Sequence, residues 1–149
     1  MRVSKEHILE EADKENVLFQ IAGILEQETP VLLGYVYGSF IASDGFNDID
    51  VAVLVDESQV QEDTDLFRYE LSLAARIDLA IEGWEIDLRV INRAPLSFKF
   101  GVVNSGRLAY CRDEAVRVHF EATTRDRYFD FLPHLRRLYA KVVLGISDE

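Results

Sequence analysis

Residues 31–56 read VLLGYVYGSFIASDGFNDIDVAVLVD, which predicts a strand, a tight turn, an irregular connection and a second strand. The apolar and aromatic run 31–37 stops at Gly38-Ser39, where a residue without Cβ lets the chain turn sharply. The second run, 48–55, alternates. Strand side chains point to opposite faces in turn, so Asp48 and Asp50 share one face while Ile49, Val51, Val53 and Val55 share the other.

Carboxylates two residues apart on a strand lie roughly 6–7 Å from each other. At an effective dielectric of about 20 they repel by on the order of 2–3 kcal/mol. A bound divalent cation reverses that sign, and Mg²⁺ suits the place because it takes one or two carboxylates and leaves room for water and substrate phosphates. The turn is the complement: Gly38 lets backbone approach an anion, and the Ser39 N–H and hydroxyl can donate to phosphate oxygens. A Gly-Ser after a strand is commonly only a turn, and Asp-x-Asp at a strand start is commonly a solvated end. In this order and at this spacing they point together to nucleotide chemistry.

A chain of 149 residues with 48% hydrophobic residues fits one folded unit, 1–149, with a core at 31–111 and a helical extension at 112–149. One cysteine, Cys111, rules out an internal disulfide and suits a reducing cytoplasm. No leader and no membrane-length apolar run is evident, so a cytoplasmic protein without membrane contact is expected. The net charge of -11 is uneven: residues 1–96 hold 20 acidic and 7 basic side chains, and residues 97–149 hold 7 and 9. The acidic part would repel nucleic acid, so no direct nucleic-acid binding is expected.

Along the chain, 4–27 reads as a helix with Ser4 as N-cap and Leu18, Ile21, Ala22 and Leu25 on its apolar side, leaving His7 in an exposed acidic turn. After a polar loop, Asp63 or Thr64 can cap a helix whose Phe67, Leu71, Ala74, Ile77 and Ile81 face the sheet, and Gly83 ends it. Residues 84–91 alternate with Glu85, Asp87 and Arg89 on one face, the pattern of a half-exposed strand. Pro95 opens a short helix over 96–103, 107–111 is a short strand, and Asp113 caps a long helix that Pro133 should kink or split. His119 and His134 lie too far apart on that helix to chelate together, and Cys111 has no nearby partner for a zinc site.

Gly38-Ser39 followed by Asp48-x-Asp50 resembles the signature of the DNA polymerase β-like nucleotidyltransferases. The tail, with Val90-Ile91-Asn92-Arg93-Ala94-Pro95, then Val102-Val103, Gly106-Arg107-Leu108-Ala109-Tyr110, Phe120 and Tyr128-Phe129-Asp130-Phe131, resembles more narrowly the minimal nucleotidyltransferase antitoxins that pair with HEPN-domain ribonuclease toxins. The resemblance implies an α/β fold, a small mixed sheet with helices packed on one side and a C-terminal helical extension. It implies transfer of AMP from ATP to a tyrosine of the toxin, with Gly38 and Ser39 on the nucleotide and Asp48, Asp50 and Asp87 as Mg²⁺ ligands. Asp87 would also act as base, with Glu85 the competitor on the same face. The family's connection after Gly-Ser is longer and carries an arginine; here 40–47 has none, which leaves phosphate charge to metal, backbone and Arg89. Two other readings remain, an antitoxin that inhibits by contact alone and a small-molecule transferase of the aminoglycoside type.

Overall fold

A computed structural model describes residues 7–145. Its centre is a four-stranded mixed sheet in the order β5-β4-β2-β6, formed by β2 (Val31–Tyr37), β4 (Asp48–Val55), β5 (Glu85–Val90) and β6 (Arg107–Cys111). β2 runs antiparallel to β4 and β6, whereas β4 and β5 run parallel. A parallel pair needs a crossover. Here it is α3 (Leu66–Ala80). Between β2 and β4 the chain makes one helical turn, α2 (Ser39–Ala42), and a two-residue strand, β3 (Gly45–Phe46), which pairs with β1 (His7–Ile8).

One face of the sheet carries α1 (Glu11–Glu26) and α3 over Val36, Ile49, Val51 and Val53, all fully buried. α4 (Leu96–Ser105) and the first half of α5 (Glu114–Val143) cover part of the other face around Leu33, Tyr35 and Ala52. The helices expected on one side are thus divided between two layers. Inward residues of β2 are apolar in both directions, and a strand buried on both faces needs cover on both.

Several expected boundaries move. The cap at Ser4 lies outside the described residues, and His7 stands in β1, so the first helix starts at Glu11 and not near residue 4. Asp65, rather than Asp63 or Thr64, caps α3 by accepting from the Arg68 N–H at 2.8 Å. α3 buries Tyr69, Leu73 and Ile77 while Phe67 and Leu71 stay exposed. Two apolar stripes compete on that helix, and the Tyr69 hydroxyl reaches Glu28 at 3.0 Å at the end of α1. α4 continues to Ser105, two residues past the expected end. Pro133 does not split α5, which runs unbroken through it. Its ring removes one hydrogen bond in a stretch whose other side chains are mostly exposed. Among the described residues no helix is long and apolar enough to cross a membrane.

Polar side chains close the ends of the sheet. Asn92 accepts from the Val55 N–H at 2.9 Å and donates to the Val55 carbonyl at 2.7 Å, imitating one more rung beyond the end of β5. Arg112 donates to the carbonyls of Glu26, Glu28 and Val31, which satisfies the C-terminal end of α1 and the start of β2. Asn92→Ala should cost about 1–3 kcal/mol by leaving both Val55 backbone groups without their partner. A urea midpoint equal to that of the unaltered protein would show that Asn92 contributes nothing to the sheet.

Candidate active site

The sheet register brings the predicted residues together. Tyr37 pairs with Asp50 across β2 and β4, and Asp50 pairs with Asp87 across β4 and β5. Partners in register point to the same face. Tyr37, Asp50 and Asp87 therefore form one row, with Asp48 and Glu85 in the next. Asp50 is half-buried, while Asp48 and Asp87 are exposed.

Gly38 is built into this row. It has φ +77°, a conformation that suits glycine, and a Cβ added there would overlap the Asp50 carboxylate. Its carbonyl accepts from the Ile41 and Ala42 N–H groups at 3.1 and 3.0 Å, which starts α2 and places the exposed Ser39 at its first position. The connection read as irregular is firmly seated. Phe40 and Phe46 are buried edge to face at 4.8 Å between ring centroids, and the buried Lys14 donates to the Ser43 carbonyl at 2.9 Å above both rings. Lys14 has no sequence signal of this role, because its partners are brought to it by the fold.

The charges are crowded. Burial, then Asp87 and Asp48, push the Asp50 carboxyl above its ordinary range, and Arg89 opposes them. Burial, with Asp50 and Asp87 behind it, pushes the Tyr37 phenol up to about 12. Tyr37 also stands edge-on to Phe98 of α4 at 5.6 Å. Its place beside Asp50 was hidden in the sequence, where it read as the last residue of a strand. Among the described residues no three His, Cys, Asp or Glu side chains are gathered closely enough to hold an ion by themselves. Mg²⁺ does not need such a cage: carboxylate oxygens from one or two residues, completed by water and phosphate, match its preference. The crowded pair at Asp50 fits it on that ground.

Because folding raises the Asp50 carboxyl, its ionised form is the less stable one in the fold. Asp50→Asn should therefore stabilise the metal-free protein near neutral pH. The sign follows from the direction of the shift. The gain should grow as pH rises through the window between the unfolded and folded values and vanish below it, where Asp50 is already neutral. Thermal midpoints of both proteins in chelator across that window measure it, and a destabilised variant at neutral pH would contradict the crowding.

The fold is shared with solved structures. A chain in the crystal structure of a toxin-antitoxin complex with AMP-PNP is 21% identical, with a TM-score of 0.66, covering 84% of this chain and 97% of that one. A chain from the complex of a tri-AMPylated Shewanella oneidensis HEPN toxin with its MNT antitoxin is 20% identical at a TM-score of 0.61, covering 87% and 98%. A third, from a MntA-HepT toxin-antitoxin complex, is 17% identical at 0.57, covering 89% and 98%. At these identities the likeness is one of fold. No curated protein sequence matches the chain. The family model described as polymerase beta, nucleotidyltransferase, matches residues 20–115, a span that holds Gly38, Ser39, Asp48, Asp50 and Asp87, and the chain belongs to that family.

Proposed function

We propose that the chain is an antitoxin enzyme that transfers AMP from ATP to a tyrosine hydroxyl of a HEPN-type ribonuclease toxin and so silences it. The observation that carries this reading is the row of Asp50 and Asp87 next to Gly38. It puts a phosphate-approachable turn and a pair of carboxylates on one open face. Support for the partner comes from the fold relatives, among them the antitoxin seen with a tri-AMPylated HEPN toxin.

In this mechanism the Gly38 backbone and Ser39 would hold the triphosphate, and the in-register pair Asp50 and Asp87, with Asp48 in the next row, would hold Mg²⁺ together with water and phosphate oxygens. When bound, the ion supplies charge neutralisation at the α-phosphate. Asp87 orients the acceptor phenol and takes its proton as the phenolic oxygen bonds to the α-phosphorus and the bond to pyrophosphate breaks. The chain's contribution is positioning and electrostatics, both set by the sheet register.

One observation favours the second reading, an antitoxin that acts by contact alone. The connection 40–47 contains no cation, and the nearest one below it, Lys14, is already held by Ser43 and two aromatic rings. The two readings separate cleanly in one experiment. With toxin, ATP and Mg²⁺ the enzyme should raise the toxin's mass by AMP units at tyrosine, and Asp48→Asn should lower the rate at least a hundredfold while leaving the fold intact. Unmodified toxin, neutralised equally by wild type and Asp48→Asn without ATP, would leave contact inhibition as the function.

A further inference from the structure

α5 is longer than the body it packs on. Val116 and Phe120 join the apolar layer around Leu33 and Tyr35, Thr124 is buried, and Tyr128 stacks on Phe100 of α4 with ring centroids 3.8 Å apart. Among the described residues, none later in α5 joins either apolar layer of the core. The helix nevertheless runs on to Val143, and at about 1.5 Å per residue the stretch from Tyr128 to Val142 extends roughly 21 Å.

An apolar stripe continues along that stretch. Tyr128, Phe131, Leu135, Leu138 and Val142 are spaced by three, four, three and four residues, the period of a seam between paired helices. Leu138 and Val142 are 58% and 71% exposed, and Phe131 is exposed as well. Pro133 lies between Phe131 and Leu135 on the side turned away from the seam, so the missing hydrogen bond leaves the stripe continuous. The stripe that meets α4 at Tyr128 is thus carried past the end of the body with its side chains uncovered.

Charge decides which helix fits. Leu132 and Tyr139 widen the seam on one side, and Arg127, His134 and Lys141 line the other at intervals of seven residues. Residues 125–145 hold five Arg or Lys against two Asp, in a chain whose net charge is -11. Among the described residues, no ion pair engages Arg127, Arg136, Arg137 or Lys141. A second copy does not complement this surface. Laid antiparallel it sets Arg127 opposite Lys141, and laid parallel it brings two acidic bodies side by side. The same acidic body is repelled by an anionic bilayer.

We propose that the projecting half of α5 is a docking helix for an amphipathic helix of a partner protein, whose apolar stripe is flanked by acidic residues where it meets Arg127, His134 and Lys141. The seam supplies affinity through helix-in-helix packing, and the basic flank selects the partner and fixes its register. The carboxylate row belongs to the sheet, so this contact serves an AMP-transferring antitoxin and a purely binding one alike.

Two blocked three-heptad peptides test this on the full chain, one with Leu at the seam positions, Glu at both flanking positions and Ala or Gln elsewhere, the other with Lys in place of every Glu. Binding is read by amide shifts of the ¹⁵N-labelled protein. The Glu peptide should shift the amides of residues 129–144 and bind roughly tenfold tighter than the Lys peptide, less so as salt rises. Leu138→Glu should weaken it by a similar factor at an unchanged thermal midpoint, and Arg127→Glu with Lys141→Glu should reverse the order of the two peptides. No binding of the Glu peptide, equal affinity for both, or shifts confined to the rest of the chain would overturn the docking helix. A dimer in sedimentation that Leu138→Glu dissolves would give the seam to a second copy instead. Adsorption to phosphatidylserine vesicles that Leu138→Glu removes would give it to a membrane, and either result overturns the acidic helix. The toxin mass assay judges the proposed function separately.

Discussion

The structure depends on the pairing of β4 with two different neighbours at once. Asp50 meets Tyr37 in an antiparallel ladder and Asp87 in a parallel one, and both ladders have to be in register for the row to exist. A slip of one residue in either would send a carboxylate to the opposite face, into the apolar layer under α1 and α3. That layer is what forbids the slip. Ile49, Val51 and Val53 are fully buried there, and exposing them in exchange for aspartates would cost several kcal/mol. The polar site is thus held in register by the apolar face behind it.

The same register gathers charge that the fold does not neutralise. Asp50 is half-buried and its carboxyl is raised by burial and by its two acidic neighbours, with Arg89 as the opposing charge. A fold selected for stability alone would place Asn here. On the transferase reading proposed above, a bound cation and polyphosphate would supply the missing charge. Gly38 adds a steric condition, since any side chain there would take the space of the Asp50 carboxylate.

The turn is precise because its surroundings are rigid. Phe40 and Phe46 plug the end of the core, Trp84 lies against Phe46 at 5.5 Å, and Lys14 ties the connection to α1. On the other face α5 is joined to the sheet through the Tyr35 hydroxyl, which donates to Glu121 at 2.9 Å, and through the contact of Tyr35 with Phe120. Tyr35 and Tyr37 are two residues apart on β2, so the long helix and the carboxylate row are attached to the same strand face.

By itself the sequence determined the two strands around Gly38-Ser39, the alternation that puts Asp48 and Asp50 on one face, the crossover helix, the strand bearing Asp87 and the cap at Asp113. These are local properties: period two, period 3.6, a glycine at a turn and an aspartate before a helix. Tertiary structure alone decided which stripe of α3 faces inward, that helices cover both faces of the sheet, that α5 runs through Pro133, and that Lys14 closes the connection. It also decided that Tyr37 belongs to the carboxylate row. Each of these depends on which strand lies next to which, over separations of tens of residues, and a local pattern carries no information about its distant neighbour.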